Sequence, residues 1–389
     1  MKIVVSNVFG PLNLGDFELF KKLVNMIESD AAQITAIARE PELSSYHFPN
    51  IEFCEQLGKA NTWYLRFIYL FFSFIYLFSP ALTKMVLPKS QYRALMNLRD
   101  SDITIACPGG FLEDSTFSFY AHLVQIFLAK KLSKKVVLAP MSIGPARSRI
   151  NKFFLKRVLN EIDRIYVREL VSAKLCEELN INYVLSNDLA FELKVESTTQ
   201  VIKTNRALFT IINWNFPTSD DPVHQLNNYI NSLVNAALHL HYQYGFDIGV
   251  IQQVASDKPA IDRFVRELAK KNIPVTIEGD GYTPEKIMNL IASVKVVVAS
   301  RFHSAIFSLN VKTPVVPISY LPKTSGMLEL YNCKDICLDI VDLDSNELVM
   351  KLNKLLDEPE YYAEVLKRLS SALKNHKAFE NDSFNCWSK

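Results

Sequence analysis

An apolar run, Val296-Val297-Val298-Ala299, ends in Ser300-Arg301-Phe302-His303-Ser304, and an amphipathic helical stretch begins at once. That order places a guanidinium and an imidazole at the carboxyl edge of a sheet. Free N–H groups of a helix N-terminus lie beside them, which is an arrangement that holds anions. Arg301 offers a planar fork for phosphate or carboxylate, and His303, with an ordinary pKa of about 6.5, can give or take a proton at neutral pH. A lone histidine is more often structural. One flanked by Ser300, Arg301 and Ser304 at a strand end reads as functional. The next apolar run, Val315 to Ser319, ends in Tyr320-Leu321-Pro322-Lys323-Thr324-Ser325-Gly326, again just ahead of a helix. Neighbouring parallel strands bring their carboxyl ends side by side, so Lys323 is placed to meet the same anion. Alone it would read as a solvated loop lysine. Two cations and two helix dipoles suit a small, highly charged donor.

Three loops in the first half are weaker signals. Gly10-Pro11-Leu12-Asn13-Leu14-Gly15-Asp16 follows the first apolar run and leads into a helix expected near Phe17. Asp16 argues against a phosphate there and is sufficiently explained as an N-cap. Asn13 and Asp16 together nonetheless offer a donor and an acceptor, as a hydroxylated substrate such as a sugar requires. Pro108-Gly109-Gly110-Phe111 follows the run Ile103 to Cys107, and its glycines allow close approach of backbone to a ligand or simply a tight turn. Ser142-Ile143-Gly144-Pro145 has the same two readings. Arg168 ends the run Arg164 to Val167, where its side chain either reaches a cleft or pairs with a carboxylate at a helix start.

The elements that must position these groups follow from alternation. Short apolar runs and amphipathic helical stretches succeed each other along all 389 residues, the pattern of parallel sheets covered by helices. The pattern predicts strands near Ile3 to Asn7, Ile34 to Ala38, Ile103 to Cys107, Val136 to Pro140, Arg164 to Val167 and Tyr183 to Leu185. After a polar stretch from Phe191 to Asn205, it predicts a second series near Ala207 to Asn213, Phe246 to Ile251, Val275 to Glu278, Val296 to Ala299, Val315 to Ser319 and Ile336 to Leu338. At roughly 150 residues per domain, the length calls for two domains. We place them at 1–195 and 205–375, with a tail at 376–389.

Composition narrows the partners. Lys+Arg 43 against Asp+Glu 41 is too balanced for a protein that neutralises many nucleic-acid phosphates, so nucleic acid is excluded as a partner. The six cysteines form no C-x-x-C pair, and Cys333 and Cys337 have no nearby histidine to complete a metal set. They read as reduced thiols of a cytoplasmic protein, and no metal is expected. One segment breaks the alternation: Trp63 to Phe78 is apolar all round and is followed by Lys84, Lys89 and Arg93. Its uninterrupted part, Phe67 to Phe78, spans only about 18 Å as a helix, short of a bilayer core of roughly 30 Å. It reads either as a helix buried in the core or a subunit contact, or as a peripheral contact with the inner face of the membrane.

Taken together, Asn13-Leu14-Gly15-Asp16, Gly109-Gly110, Ser300-Arg301-Phe302-His303 and Tyr320 to Lys323 resemble, in order and spacing, the polysaccharide pyruvyltransferase family. The resemblance covers nearly the whole chain, and Arg301-Phe302-His303 followed by Tyr320 and Lys323 is its most specific part. It implies an α/β fold of two Rossmann-like domains facing a cleft, similar to B-type glycosyltransferases, with the acceptor on the first domain and the donor on the second. It also implies transfer of pyruvate, as a ketal, from phosphoenolpyruvate to two hydroxyls of a sugar in a polysaccharide or its lipid-linked precursor. No cofactor is called for. By this resemblance Arg301, Lys323, Ser300 and Ser304 bind the donor, and His303 protonates the enol carbon or assists phosphate departure, with Arg301 and Asp16 also at the reaction. Asn13, Asp16, Gly109, Gly110 and Arg168 take the acceptor. The chain departs from the family pattern in carrying Cys107-Pro108 before only two glycines and in the richness of its aromatic segment. Two rivals remain: a nucleotide-sugar glycosyltransferase of the same fold, which would need a ribose-reading carboxylate near Arg301, and a non-catalytic membrane-surface scaffold built on Trp63 to Phe78.

Overall fold

The computed structural model describes residues 1–11, 13–28, 32–114, 118–193, 202–279 and 281–382. These divide into two compact units, the first Met1–Leu189 together with the segment from His376 onward, the second Ala190–Asn375.

The first unit runs β1 (Lys2–Val8), α1 (Leu14–Ile27), β2 (Gln33–Ala38), α2 (Pro41–His47), β3 (Glu52–Glu55), α3 (Trp63–Ile75), α4 (Pro80–Val86), α5 (Lys89–Arg99) and β4 (Ile103–Ala106). It continues with α6 (Ser118–Leu132), β5 (Lys135–Met141), α7 (Arg149–Leu159), β6 (Arg164–Val167), α8 (Leu170–Leu179) and β7 (Val184–Leu185). All seven strands are parallel, in the order β3-β2-β1-β4-β5-β6-β7. Because helices cover both faces, residues of either parity along β1 are buried: Ile3, Val4 and Val5 are each at most 1% exposed.

The second unit runs β8 (Arg206–Thr210), α9 (Pro222–Tyr244), β9 (Asp247–Ile251), α10 (Lys258–Ala269), β10 (Val275–Glu278), α11 (Pro284–Ala292), β11 (Val296–Ala299) and α12 (Phe302–Asn310). There follow β12 (Val315–Ser319), α13 (Pro322–Leu330), β13 (Leu338–Asp339), α14 (Ser345–Asp357) and α15 (Pro359–Asn375). Its six strands are also parallel, in the order β10-β9-β8-β11-β12-β13. The helices are punctuated as their sequences require. In α9, Pro222 occupies the first turn, Asp221 accepts from His224 N at 2.9 Å, and Gly245 ends the helix at φ +66°.

Three sequence readings need correction. Glu52–Glu55 forms a seventh strand in the first unit that was not expected, its four residues being too short and too acidic at the ends to read as one. The first helix begins at Leu14, so Asn13 is its cap and Asp16 lies inside its first turn. The segment taken as a tail is part of the first unit: α16 (Ala378–Asn381) packs Phe379 against Tyr166 at 5.0 Å, and Asn187 N donates to His376 O at 2.8 Å. Of the polar stretch read as a linker, residues 194–201 lie outside the described residues.

Candidate active site

In each sheet the strand order reverses once, between β1 and β4 and between β8 and β11. Crossovers leave such a pair in opposite directions and open a crevice beyond the strand ends, where ligands of open α/β sheets bind. Most of the residues singled out in the sequence lie at these two places, and Arg168, at the end of β6, does not.

At the second unit's reversal, β8 and β11 are knitted past their ends: Ser300 N donates to Thr210 O at 3.1 Å and Arg301 N to Thr210 Oγ1 at 3.2 Å. Arg301 caps α12 in an extended conformation. Its guanidinium is held by both oxygens of Asp257, the residue immediately before α10, at the end of the connection from β9. Nε donates to Oδ2 at 2.8 Å and Nη2 donates to Oδ1. Asp257 is 2% exposed at its side chain and also accepts from Asn213 N at 3.1 Å. Two of the fork's five N–H groups are thus committed to a carboxylate that balances its charge, which leaves Arg301 a directional donor more than a free cation.

Lys323, in the first turn of α13, keeps different company. Its ammonium lies 5.4 Å from the Phe302 ring centroid and 6.0 Å from that of Tyr320, and it enters no ion pair among the described residues. Trp214, beyond β8, meets Tyr320 edge-on at 5.0 Å. His303 is half-buried in the first turn of α12, between Phe302 at 5.4 Å and Phe307 at 6.0 Å. Arg301, His303 and Lys323 therefore share one sheet edge, with Arg301 drawn toward β9 and Lys323 resting on aromatic rings. Ser300 and Ser304 are buried within that edge. Ser300 Oγ accepts from Tyr229 OH at 2.7 Å, and Ser304 Oγ donates to Gln253 Oε1 at 3.0 Å. Burial pushes the Tyr229 phenol up to about 12, so it remains a donor.

At the first unit's reversal, Asn13 Nδ2 donates to Asp16 Oδ2 at 2.7 Å, while Asn13 Oδ1 takes a long 3.5 Å bond from Asp16 N. Across from them, Gly109 lies beside Asp16: a side chain added at Gly109 would come 3.7 Å from Asp16 Oδ1, an ordinary contact, and 3.3 Å from the Phe111 ring of its own loop. Gly110 is half-buried beside it. Ser142 N donates to Gly109 O at 2.9 Å and Gly144 N to Leu112 O at 2.8 Å, which carries the β4–β5 pairing into the loops. Asn13, Asp16, Gly109 and Gly110 are brought together.

Arg168 departs from the expectation that it reaches a cleft. It is 1% exposed, forms an ion pair at 2.8 Å with Asp188, itself 0% exposed, and donates from Nε to Ser142 Oγ at 3.0 Å. A carboxylate buried to that extent needs a counter-charge, and the end of β6 supplies it.

Sequence reasoning missed Asp257, Thr210, Gln253 and Trp214 in the second unit, and the Asn7–His122 pair in the first. His122 is 3% exposed, accepts at Nδ1 from Asn7 Nδ2 at 3.0 Å and stacks on Phe111 at 4.6 Å. Burial first, and the Arg39 charge second, bring its pKa down to about 3. Cys107 is buried nearby, its thiol pushed well above the usual range by burial and then by Asp16. The only forewarning of Asp257 is its place before Lys258-Pro259, which reads equally well as an ordinary helix start. Among the described residues no three His, Cys, Asp or Glu side chains gather as a metal set, and no helix is long and apolar enough to cross a membrane.

The chain is similar to several solved structures along nearly its whole length. A glycosyltransferase from Rickettsia africae superposes with a TM-score of 0.59 at 12% identity, covering 99% of this chain and 97% of that one. UDP-GlcNAc 2-epimerase from Neisseria meningitidis gives 0.59 at 10% identity, covering 96% and 98%. At such identities the likeness speaks for the fold, which is that of B-type glycosyltransferases. In sequence, the amylovoran biosynthesis protein AmsJ of Erwinia amylovora is 23% identical over 325 residues, 73% of this chain and 72% of that protein. Residues 13–322, from the cap of α1 to the start of α13, match the family described as polysaccharide pyruvyl transferase, and the chain belongs to that family.

Proposed function

We propose that this transferase moves pyruvate from phosphoenolpyruvate onto two hydroxyls of one sugar residue of a polysaccharide or of its lipid-linked precursor. The observation that carries the reading is the common edge of β11 and β12, where a fork of N–H donors, an imidazole and an ammonium without a carboxylate partner among the described residues lie on adjacent strand ends. Phosphoenolpyruvate is a three-carbon frame with a phosphate and a carboxylate, and that mixture of donors suits it. Lys323 supplies net positive charge. Arg301, aimed by Asp257, supplies direction. His303 protonates the methylene carbon, which becomes the methyl group of the product. One sugar hydroxyl adds to the cationic carbon and gives up its proton; the bond from that carbon to the ester oxygen then breaks, phosphate leaving with the oxygen and the electron pair, and the second hydroxyl adds to the carbon to close the ketal and gives up the other proton. One of these protons restores His303 and the other leaves with phosphate. In this reading the first unit's Asn13, Asp16 and the Gly109-Gly110 backbone orient the sugar hydroxyls.

The test is phosphate release from phosphoenolpyruvate in the presence of sugars bearing vicinal or 1,3-related hydroxyl pairs, free and lipid-linked. Release should require an acceptor. His303→Gln should lower kcat by about 10²–10⁴-fold, the usual contribution of a general acid. Arg301→Lys keeps the charge but loses the fork, and should lower kcat/KM by roughly 10²-fold. Turnover of a nucleotide sugar, with no phosphate released from phosphoenolpyruvate by any acceptor, would move the assignment to glycosyl transfer.

A further inference from the structure

The aromatic helix α3 is neither core nor free of it. Its inner side packs on α6, with Leu70 and Ser73 buried and the Phe74 and Phe127 rings 5.6 Å apart. Its outer side leaves Trp63 73%, Tyr64 50%, Phe67 53%, Ile68 40% and Phe71 60% exposed, a single stripe at helical spacing. Beyond it, Phe78 is 86% exposed, and α4 adds Leu82 at 45% and Met85 at 84%. At the ~150–250 Å² that a large aromatic side chain presents, these fractions amount to roughly 1,000 Å² of outward apolar surface. The largest patch on an ordinary monomer is about 300–600 Å².

A second helix repeats the composition. α7 also packs on α6, with Tyr120 OH donating to Asn151 Oδ1 at 2.8 Å, and it exposes Ile150 66%, Phe153 63% and Phe154 44%. Charge is one-sided in both stretches. From Gln56 to Arg99 there are six Lys and Arg and no Asp or Glu, and from Arg147 to Leu159 there are five and none. Several of these cations pair with acids elsewhere, but Arg66, Lys84, Lys89, Arg149 and Lys156 enter no ion pair among the described residues, and all five are exposed. The helix α3 is about 20 Å long, too short to cross a bilayer and of a length to lie in its surface.

We propose that the outer faces of α3, α4 and α7, with Lys89 at the start of α5, form a docking surface for an anionic lipid bilayer, the aromatic side chains entering the headgroup region and the five cations without an ion pair among the described residues meeting lipid phosphates. The charge decides the occupant. A second copy of this chain would bring the same positive face against itself, whereas an anionic membrane complements it. Aromatic rings with basic neighbours are the composition that partitions to that interface.

The test is co-sedimentation of the full chain with vesicles of phosphatidylcholine alone and of phosphatidylcholine with phosphatidylglycerol. It contains neither phosphoenolpyruvate nor sugar, so its outcome is independent of the transfer reaction. The chain should sediment with the anionic vesicles and at least tenfold less with the neutral ones. Trp63→Ser/Phe67→Ser/Phe71→Ser changes only exposed side chains and should abolish binding with an unchanged circular dichroism spectrum. Lys84→Glu/Arg149→Glu should weaken it by about 25-fold or more, each basic residue near such a surface contributing about fivefold. Sedimentation of the triple variant equal to that of the parent would overturn the proposal. So would equal binding to neutral vesicles, or a lipid-free dimer that the triple variant converts to monomer.

Discussion

His122 makes the first unit acid-sensitive, and the size of the effect can be worked out. The imidazole is sealed between Phe111 and Asn7, where a proton would have to enter without solvent and near Arg39, so its pKa in the folded chain is about 3. In the unfolded chain it returns to about 6.5. Between these values the unfolded state binds a proton that the folded state refuses, so stability rises with pH. The contribution is complete above about pH 7 and shrinks as pH falls through 6.5 toward 3. At 1.36 kcal/mol per unit, the loss reaches roughly 2 kcal/mol by pH 5, grows by about 1 kcal/mol per further unit and levels off below the folded pKa of about 3. Urea unfolding at a series of pH values, followed by circular dichroism, reads this directly once compared with His122→Gln. Glutamine keeps an acceptor for Asn7 but cannot titrate, and the carboxylates common to both chains cancel in the difference. The difference curve should therefore fall by about 2 kcal/mol from pH 7.5 to pH 5. A flat difference over that window would mean that the folded pocket admits the proton, and the argument from burial would fail. Since Phe111 follows Gly109-Gly110 directly, the same protonation should loosen the loop at the first unit's strand reversal.

Two further expectations separate structure from chemistry in that unit. Arg168→Met strands the buried charge of Asp188 and should cost about 3–5 kcal/mol, most of it recovered in Arg168→Met/Asp188→Leu. If the double variant is stable and still turns over, Arg168 has no part in holding the acceptor, which the buried geometry favours. Asn13→Ala removes the cap of α1 and the donor to Asp16 Oδ2 and should cost about 1 kcal/mol in denaturant unfolding. A rise in the KM for the sugar much greater than that loss explains would assign the side chain to the acceptor.

What the sequence made legible depended on whether the cause was local. Parallel strands covered on both faces must be continuously apolar, so β1, β4, β6, β11 and β12 could be read to within a residue or two. The edge strand β3, four residues with glutamate at each end, carries no such mark, and only pairing with β2 makes it a strand. The site divides on the same line. That Arg301, His303 and Lys323 lie at strand ends is a local fact. The carboxylate that meets Arg301 is not, since Asp257 stands 44 residues away and approaches only because β9, β8 and β11 are neighbours in the sheet. The correction changes the chemistry assigned to each residue. An arginine matched by a buried aspartate contributes orientation and little net field, while the charge of Lys323, which rests on rings and enters no ion pair among the described residues, is not offset in this way. A small anion entering this edge would therefore be attracted by Lys323 and aligned by Arg301, two roles that the sequence had merged into one.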